Sequence, residues 1–176
     1  MSPPEFSRPV RIDTLGAGAR SVEIGANEGE RASLAMRFGI DAIDRLSAKL
    51  DLVRSGDEVR ARGTLSAAVT QSCVASGEPV AETVDQPFEI VFRPIPSGGS
   101  PDEEIELSEG ELDVVFYQGA AVDVGEAVAE TLSLSLDPFP RSPAAEAALR
   151  EAGVKAEEEA KAESSPFAAL KDRFGK

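Results

Sequence analysis

The sequence predicts an α+β fold: a mostly antiparallel, curved or barrel-like sheet with a packed helix and a helical C-terminal tail. Three observations carry this reading. Long stretches alternate apolar and polar residues at the period of a strand, Gly-containing turns separate them, and two shorter stretches place apolar residues at the period of a helix. A chain of 176 residues holds one core of ordinary domain size plus a tail. Hydrophobic residues make up 41% and aromatic residues 5%, with no Trp, so that core is built from Leu, Val, Ile and Ala.

From the N-terminus, Pro9 to Leu15 and Ala19 to Gly25 alternate across a Gly-containing turn, which predicts two strands or a hairpin. Asn27 then caps a short helix over about Glu28 to Arg37. Its early acids suit the positive end of the helix dipole, and Gly39 marks its end. Alternation resumes from Ile43 to Val53, and Ser55-Gly56-Asp57 turns the chain into a long strand over Glu58 to Val74. That strand places Val59, Ala61, Gly63, Leu65, Ala67 and Val69 on one face. A third strand, Val80 to Phe92, follows the Gly77-Glu78-Pro79 turn, with Phe88, Ile90 and Phe92 at alternate positions.

Pro94 to Glu104 mixes Pro, Gly, Ser and acids without periodicity, and a mobile acidic loop is expected over about 94–111. Leu112 to Tyr117 reads as a short strand with Ala121 to Val124 paired to it. After Gly125, the residues Val128, Leu132 and Leu136 recur at helical spacing, so this helix is expected to cover a sheet face until Pro138-Phe139-Pro140 ends it. Residues 1–141 are thus expected to form a single domain of five to seven strands, with 142–176 as a tail. Within the tail, Ala144 to Glu163 reads as a solvated Ala/Glu/Lys helix and Ser164-Ser165-Pro166 as a break. Phe167, Leu170 and Phe174 follow at helical spacing, an amphipathic end suited to docking on the domain or on a partner.

The net charge is −14. Binding to a phosphate backbone is driven by Lys and Arg releasing counterions, so direct binding to RNA or DNA is disfavoured. No Lys or Arg lies between Arg93 and Arg141, while acids run from Asp102 through Glu111 to Asp137. This stretch is either a surface for a basic partner or a solvated segment that keeps the chain soluble. The arginines of the first half, among them Arg8, Arg31, Arg37, Arg60 and Arg62, either line one sheet face open to RNA or belong to a mixed, neutral surface.

The single cysteine, Cys73, excludes an intramolecular disulfide, and the N-terminus lacks the basic start and apolar stretch of a signal peptide. No window approaches 18 uninterrupted apolar residues, so no membrane span is expected and the expected location is cytoplasmic.

Catalysis is not expected. The chain has no His, the commonest general base at neutral pH. Cys73, among Ser72, Val74 and Ala75 in a predicted strand, reads as a small buried hydrophobe rather than a nucleophile. Carboxylate pairs are too numerous for any one to be specific, and one thiol without imidazoles cannot make a structural zinc site. Gly16 and Gly18 lack the third Gly and the following helix of a dinucleotide-binding loop. No catalytic, cofactor or metal-ligating residue is therefore expected.

Three segments together resemble the YceD family. QSCVASGEPVAETVDQPFEIVFRP, at Gln71 to Pro94, places a Cys at a strand end before a turn and a strand with alternating Phe and Ile. VDVGEAVAETLSLSLDPFPR, at Val122 to Arg141, is similar to the family's most recognisable stretch, an Asp and a Gly-Glu opening a helix that closes on Pro-x-Pro. SPFAALKDRF, at Ser165 to Phe174, resembles its Pro-Phe-x-x-Leu ending. Order and spacing match a single-cysteine, alphaproteobacterial-type variant. On this resemblance the motif or partner-binding residues are Cys73, Asp123, Gly125, Glu126, Pro138, Pro140, Arg141, Pro166, Phe167 and Leu170.

The resemblance implies a non-enzymatic factor needed for normal levels of large-subunit (23S) ribosomal RNA. Many members carry a Cys-x-x-Cys pair here and further cysteines after the helix, suggesting zinc. This chain has Ser76 at the second position and lacks the later cysteines, so metal binding does not carry over. The acidic charge points to a basic partner, a ribosomal protein or an RNA-processing enzyme, with RNA contact indirect or weak. The alternatives are a direct RNA-binding protein and an acidic adaptor of an unrelated pathway. For Asp123 and Glu126 the competing reading is that they only cap the helix that follows, and for Pro138 and Pro140 that they are conformational stops.

Overall fold

The structure, a computed structural model, describes residues 4–95 and 113–154. Pro166, Phe167 and Leu170, with most of the expected acidic loop and of the tail, lie outside the described residues. The elements are β1 (Pro9–Arg11), a 3-10 turn (Ile12–Thr14), β2 (Arg20–Gly25), α1 (Glu28–Phe38), β3 (Ala42–Ser55), β4 (Glu58–Ser72), β5 (Pro79–Pro94), β6 (Asp113–Tyr117), β7 (Ala121–Asp123), α2 (Val124–Ser135) and α3 (Ala145–Glu151). They form the expected α+β fold. The described residues divide into two compact units, one within Met1–Gln71 and Ala81–Pro138, the other within Ser72–Val80 and Phe139–Lys176.

The first unit is organised by a five-stranded sheet of order β2-β3-β4-β5-β6. β3 and β4 are joined by a tight turn in which Gly56 takes a φ of 63°, a conformation that costs an L side chain far more than Gly. Pairing runs antiparallel from Ser55↔Glu58 to Ala42↔Thr70, with one irregularity between Ile43 and Arg45. The strand period then sends Val59, Ala61, Leu65, Ala67 and Val69 of β4 into the core, against Leu46, Leu50 and Leu52 of β3 and Phe88, Ile90 and Phe92 of β5. α1 lies on β3 and adds Leu34, while Val128 and Leu132 of α2 are fully buried in the same core.

α1 begins and ends where the sequence puts its signals. The Asn27 side chain accepts a hydrogen bond from the Glu30 backbone N–H at 3.0 Å, and the Glu30 carboxylate accepts one from the Asn27 N–H at 2.8 Å, a reciprocal capping box. Gly39 closes the helix at a φ of 67°.

Two expectations are corrected, and one open alternative is decided: Pro9 to Leu15 and Ala19 to Gly25 give two strands and not a hairpin, since β1 pairs with β7 and β2 with β3. β7 accordingly does not pair with β6, which runs parallel to β5, with Phe92 opposite Val115. The alternation is correct in each case, but partner choice is non-local and short strands of this kind carry no register signal. The five-stranded sheet ends at β2 and β6 and does not close into a barrel. α3 ends at Glu151, where Gly153 adopts a φ of 78°, and residues 155–163 of the expected tail helix lie outside the described residues.

Candidate functional site

The most specific stretch of the sequence, Val122 to Glu126, forms the joint between the N-terminal segment and α2. Val122 and Val124 are buried in the core, which fixes the strand-to-helix transition between them. Asp123 projects at the N-cap. One of its carboxylate oxygens accepts hydrogen bonds from the Arg8 N–H at 2.7 Å, the Gly125 N–H at 3.0 Å and the Glu126 N–H at 3.2 Å; the other accepts from the Ser7 hydroxyl. One side chain thus caps α2 and ties down the chain 115 residues away. The Val124 N–H donates to the Arg8 carbonyl at 3.2 Å, completing the joint.

Gly125 is required by the same geometry. A Cβ at this position would overlap the Phe6 carbonyl oxygen and lie 2.9 Å from the Arg8 nitrogen, so the N-terminal segment can pack on α2 only over a glycine. Glu126 forms a two-pronged ion pair with Arg37 of α1, at 2.7 and 3.1 Å, and Arg37 also reaches Glu5 at 3.0 Å. The Glu126 carboxylate holds the Arg37 guanidinium above its ordinary pKa. Arg8 pairs with both oxygens of Glu30 at 2.7 and 2.8 Å, stacks over the buried Phe6 ring at 4.6 Å and lowers the Glu30 pKa by hydrogen bonding. The sequence does not single out Phe6 or Glu30, and it marks Arg8 and Arg37 only as members of an RNA-facing or neutral surface, not as the ion-pair partners they are. An isolated Phe in an N-terminal stretch without periodicity, and pairs formed between distant residues, leave no local signal.

Cys73 sits in the second unit, immediately after β4 rather than inside it, and is 3% exposed. Its N–H donates to the Glu78 carbonyl at 2.7 Å and its carbonyl accepts from Gly77 at 2.9 Å, closing a tight loop. The Val74 N–H donates to the carbonyl of the buried Pro140 at 2.9 Å, and the Ser142 N–H donates to Cys73 Sγ at 3.3 Å. These hydrogen bonds, first from the Ser142 backbone and then from the Ser76 hydroxyl, pull the thiol down to about 6. Ser142 Oγ in turn donates to Glu78 Oε2 at 2.7 Å and lies 3.1 Å from Ser76 Oγ. Pro138 and Arg141 are exposed.

This cluster tests the metal that the family resemblance brings to mind. Zinc takes thiolate, imidazole or carboxylate, and here one thiol stands beside two hydroxyls already hydrogen-bonded to each other and to a carboxylate. Among the described residues no group of three or more His, Cys, Asp or Glu side chains is placed to hold a metal. The donor set does not fit zinc. Treatment with EDTA is therefore expected to leave the melting temperature unchanged, whereas Ser142→Ala is expected to lose about 1 kcal/mol from the missing Glu78 and Ser76 contacts. A chelator-dependent fall in melting temperature would overturn the assignment.

Most of the first-half arginines are engaged by carboxylates or backbone carbonyls, while Arg20 and Arg45 donate to the hydroxyls of Thr14 and Ser66. Beyond Arg8 and Arg37, Arg60 and Arg62 both pair with Glu89, and Arg11 pairs with Asp13. Arg31 donates to the backbone carbonyls of Ala26 and Ile43, and Arg54 to those of Ile12 and Gly56.

A family model described as large ribosomal RNA subunit accumulation protein YceD matches residues 61–172, well over half of the chain. The chain belongs to the YceD family. The match runs from β4 through Cys73 and its neighbours and through Asp123, Gly125 and Glu126, and on beyond the described residues, while Phe6, Arg8, Glu30 and Arg37 lie before it. No curated protein and no solved structure matches the chain. The YceD description ties the family to accumulation of the large ribosomal RNA subunit. Among the described residues no helix is long and apolar enough to cross a membrane.

Proposed function

We propose that this YceD-family chain is a non-enzymatic, cytoplasmic accessory factor for accumulation or processing of large-subunit ribosomal RNA that acts through a basic protein partner. Family membership carries the pathway. The charge carries the mode of action: a chain of net charge −14, whose first-half arginines are largely engaged by carboxylates and carbonyls, repels a phosphate backbone and attracts a cationic protein. Support for a non-enzymatic role comes from the absence of His and from the buried setting of Cys73. In this reading Asp123, Gly125 and Glu126 serve as scaffold, Pro138 and Pro140 shape the chain after α2, and Phe167 with Leu170 belongs to the partner-contacting end.

The test is the ratio of large- to small-subunit ribosomal RNA in cells depleted of the protein. The ratio is expected to fall and to be restored by the full chain but not by a version ending at Glu163. An unchanged ratio on depletion would remove the reading.

A further inference from the structure

The groove between α1 and the start of β3 has a composition that none of the roles above uses. It encloses about 530 Å³ and is lined by Ala32, Ala35, Met36, Ile40 and Ala42, with Glu28, Asp41 and Asp44 around it. Met36 is 84% exposed, the most exposed large apolar side chain among the described residues. It lies one turn along α1 from Ala32, a small residue that leaves room for an incoming side chain, while Glu28 and Arg31 supply the charges of α1 at the same groove. The irregularity of β3 falls at Asp44: Ile43 pairs with Val69 and Arg45 with Ala68, leaving Asp44 as the extra residue of a bulge. Bulges re-aim side chains, and this one supplies a carboxylate to the groove. Arg31 is the lone cation in the lining, and its guanidinium is turned to the carbonyls of Ala26 and Ile43.

The geometry points to this groove as the docking site for a short basic segment of a partner protein, in which one large apolar side chain sits over Ala32, Met36 and Ile40 while flanking Lys or Arg residues meet Glu28 and Asp44. Charge complementarity selects a cationic occupant, and the flexible, polarisable thioether of Met36 suits an apolar anchor of variable shape. The inference rests on the proposed basic partner and gives it a place on the folded chain.

The test is titration of the full chain with a short synthetic peptide of lysines around one phenylalanine, followed by backbone amide chemical shifts. Shifts are expected to concentrate within residues 28–44. Met36→Asp is the deciding variant, since it removes the apolar contact while adding negative charge. It is expected to weaken the peptide by about tenfold, and Asp44→Asn to weaken it by a smaller factor. Equal or tighter binding by Met36→Asp would show purely electrostatic attraction and overturn the proposal, as would shifts spread to acids elsewhere such as Glu23 and Asp51. The titration decides the groove without any cellular partner, whereas the depletion ratio decides the ribosomal-RNA reading without the groove, so failure of one is distinguishable from failure of the other.

Discussion

Replacing Gly63 by Ala is expected to destabilise the folded chain by roughly 2–4 kcal/mol, a fall of about 5–15 °C in melting temperature. Gly63 lies in the middle of β4, directly opposite Leu50 of β3. Opposed Cβ atoms in an antiparallel pair are ordinarily about 4.5–5.5 Å apart. Here a Cβ on residue 63 would overlap the Lys49 carbonyl oxygen and stand 2.7 Å from Leu50 Cβ and 2.8 Å from Leu50 Cα. Two of these three atoms are backbone, so a rotamer change cannot relieve the overlap and the strands must part in the centre of the sheet. Neighbouring Ala61 and Leu65 are fully buried, so the displacement propagates into the core. Urea denaturation measures the effect as a shift of midpoint at constant slope. A loss below about 0.5 kcal/mol would show that the strands have room for a methyl group.

Gly63 also marks how far the sequence could be read. Its place on the apolar face of β4 was legible, because alternation from Val59 to Val69 is unbroken, and so were both capping residues of α1 and the Gly56 and Gly77 turns. These features are local, decided by side-chain period and by the few residues that tolerate or supply a special backbone geometry. The close approach of β3 at Gly63 depends on how two strands coil around each other and leaves no mark in β4 alone. The same limit explains β1 and β7. Each is three residues long, and their pairing is set by Asp123 reaching Ser7 and Arg8 across the fold rather than by any pattern within either strand.

The candidate site divides in the same way. Asp123, Gly125 and Glu126 were legible as a unit because the family motif is contiguous, and Asp123 was legible as a helix cap. That the cap also holds Phe6 to Arg8, and that Gly125 is the surface on which this segment rests, was not legible, since the partners lie more than 100 residues away. The burial of Cys73 and its i+3 relation to Ser76 are legible in the sequence. The approach of Ser142 to both is not, because it lies 69 residues from Cys73 and shares no pattern with it.

Asp123→Ala is expected to cost about 2–4 kcal/mol, the sum of a lost helix cap and of an Arg8 N–H left without its acceptor. Asp123→Asn is expected to cost distinctly less. An amide oxygen can still cap α2 and accept from Arg8, and the Ser7 hydroxyl can turn to accept from the amide nitrogen. The order wild type, Asn, Ala in urea midpoint therefore reports the hydrogen-bonded joint rather than charge alone, and equal loss in both variants would show that the carboxylate's charge matters more than its geometry. The same pair separates scaffold from contact. If Asp123 acts only by holding the N-terminal segment on α2, Asp123→Asn restores the ribosomal RNA ratio in depleted cells in proportion to the folded protein it supplies. A variant that is as stable as wild type yet fails to restore the ratio would mean instead that Asp123 is read directly by the partner.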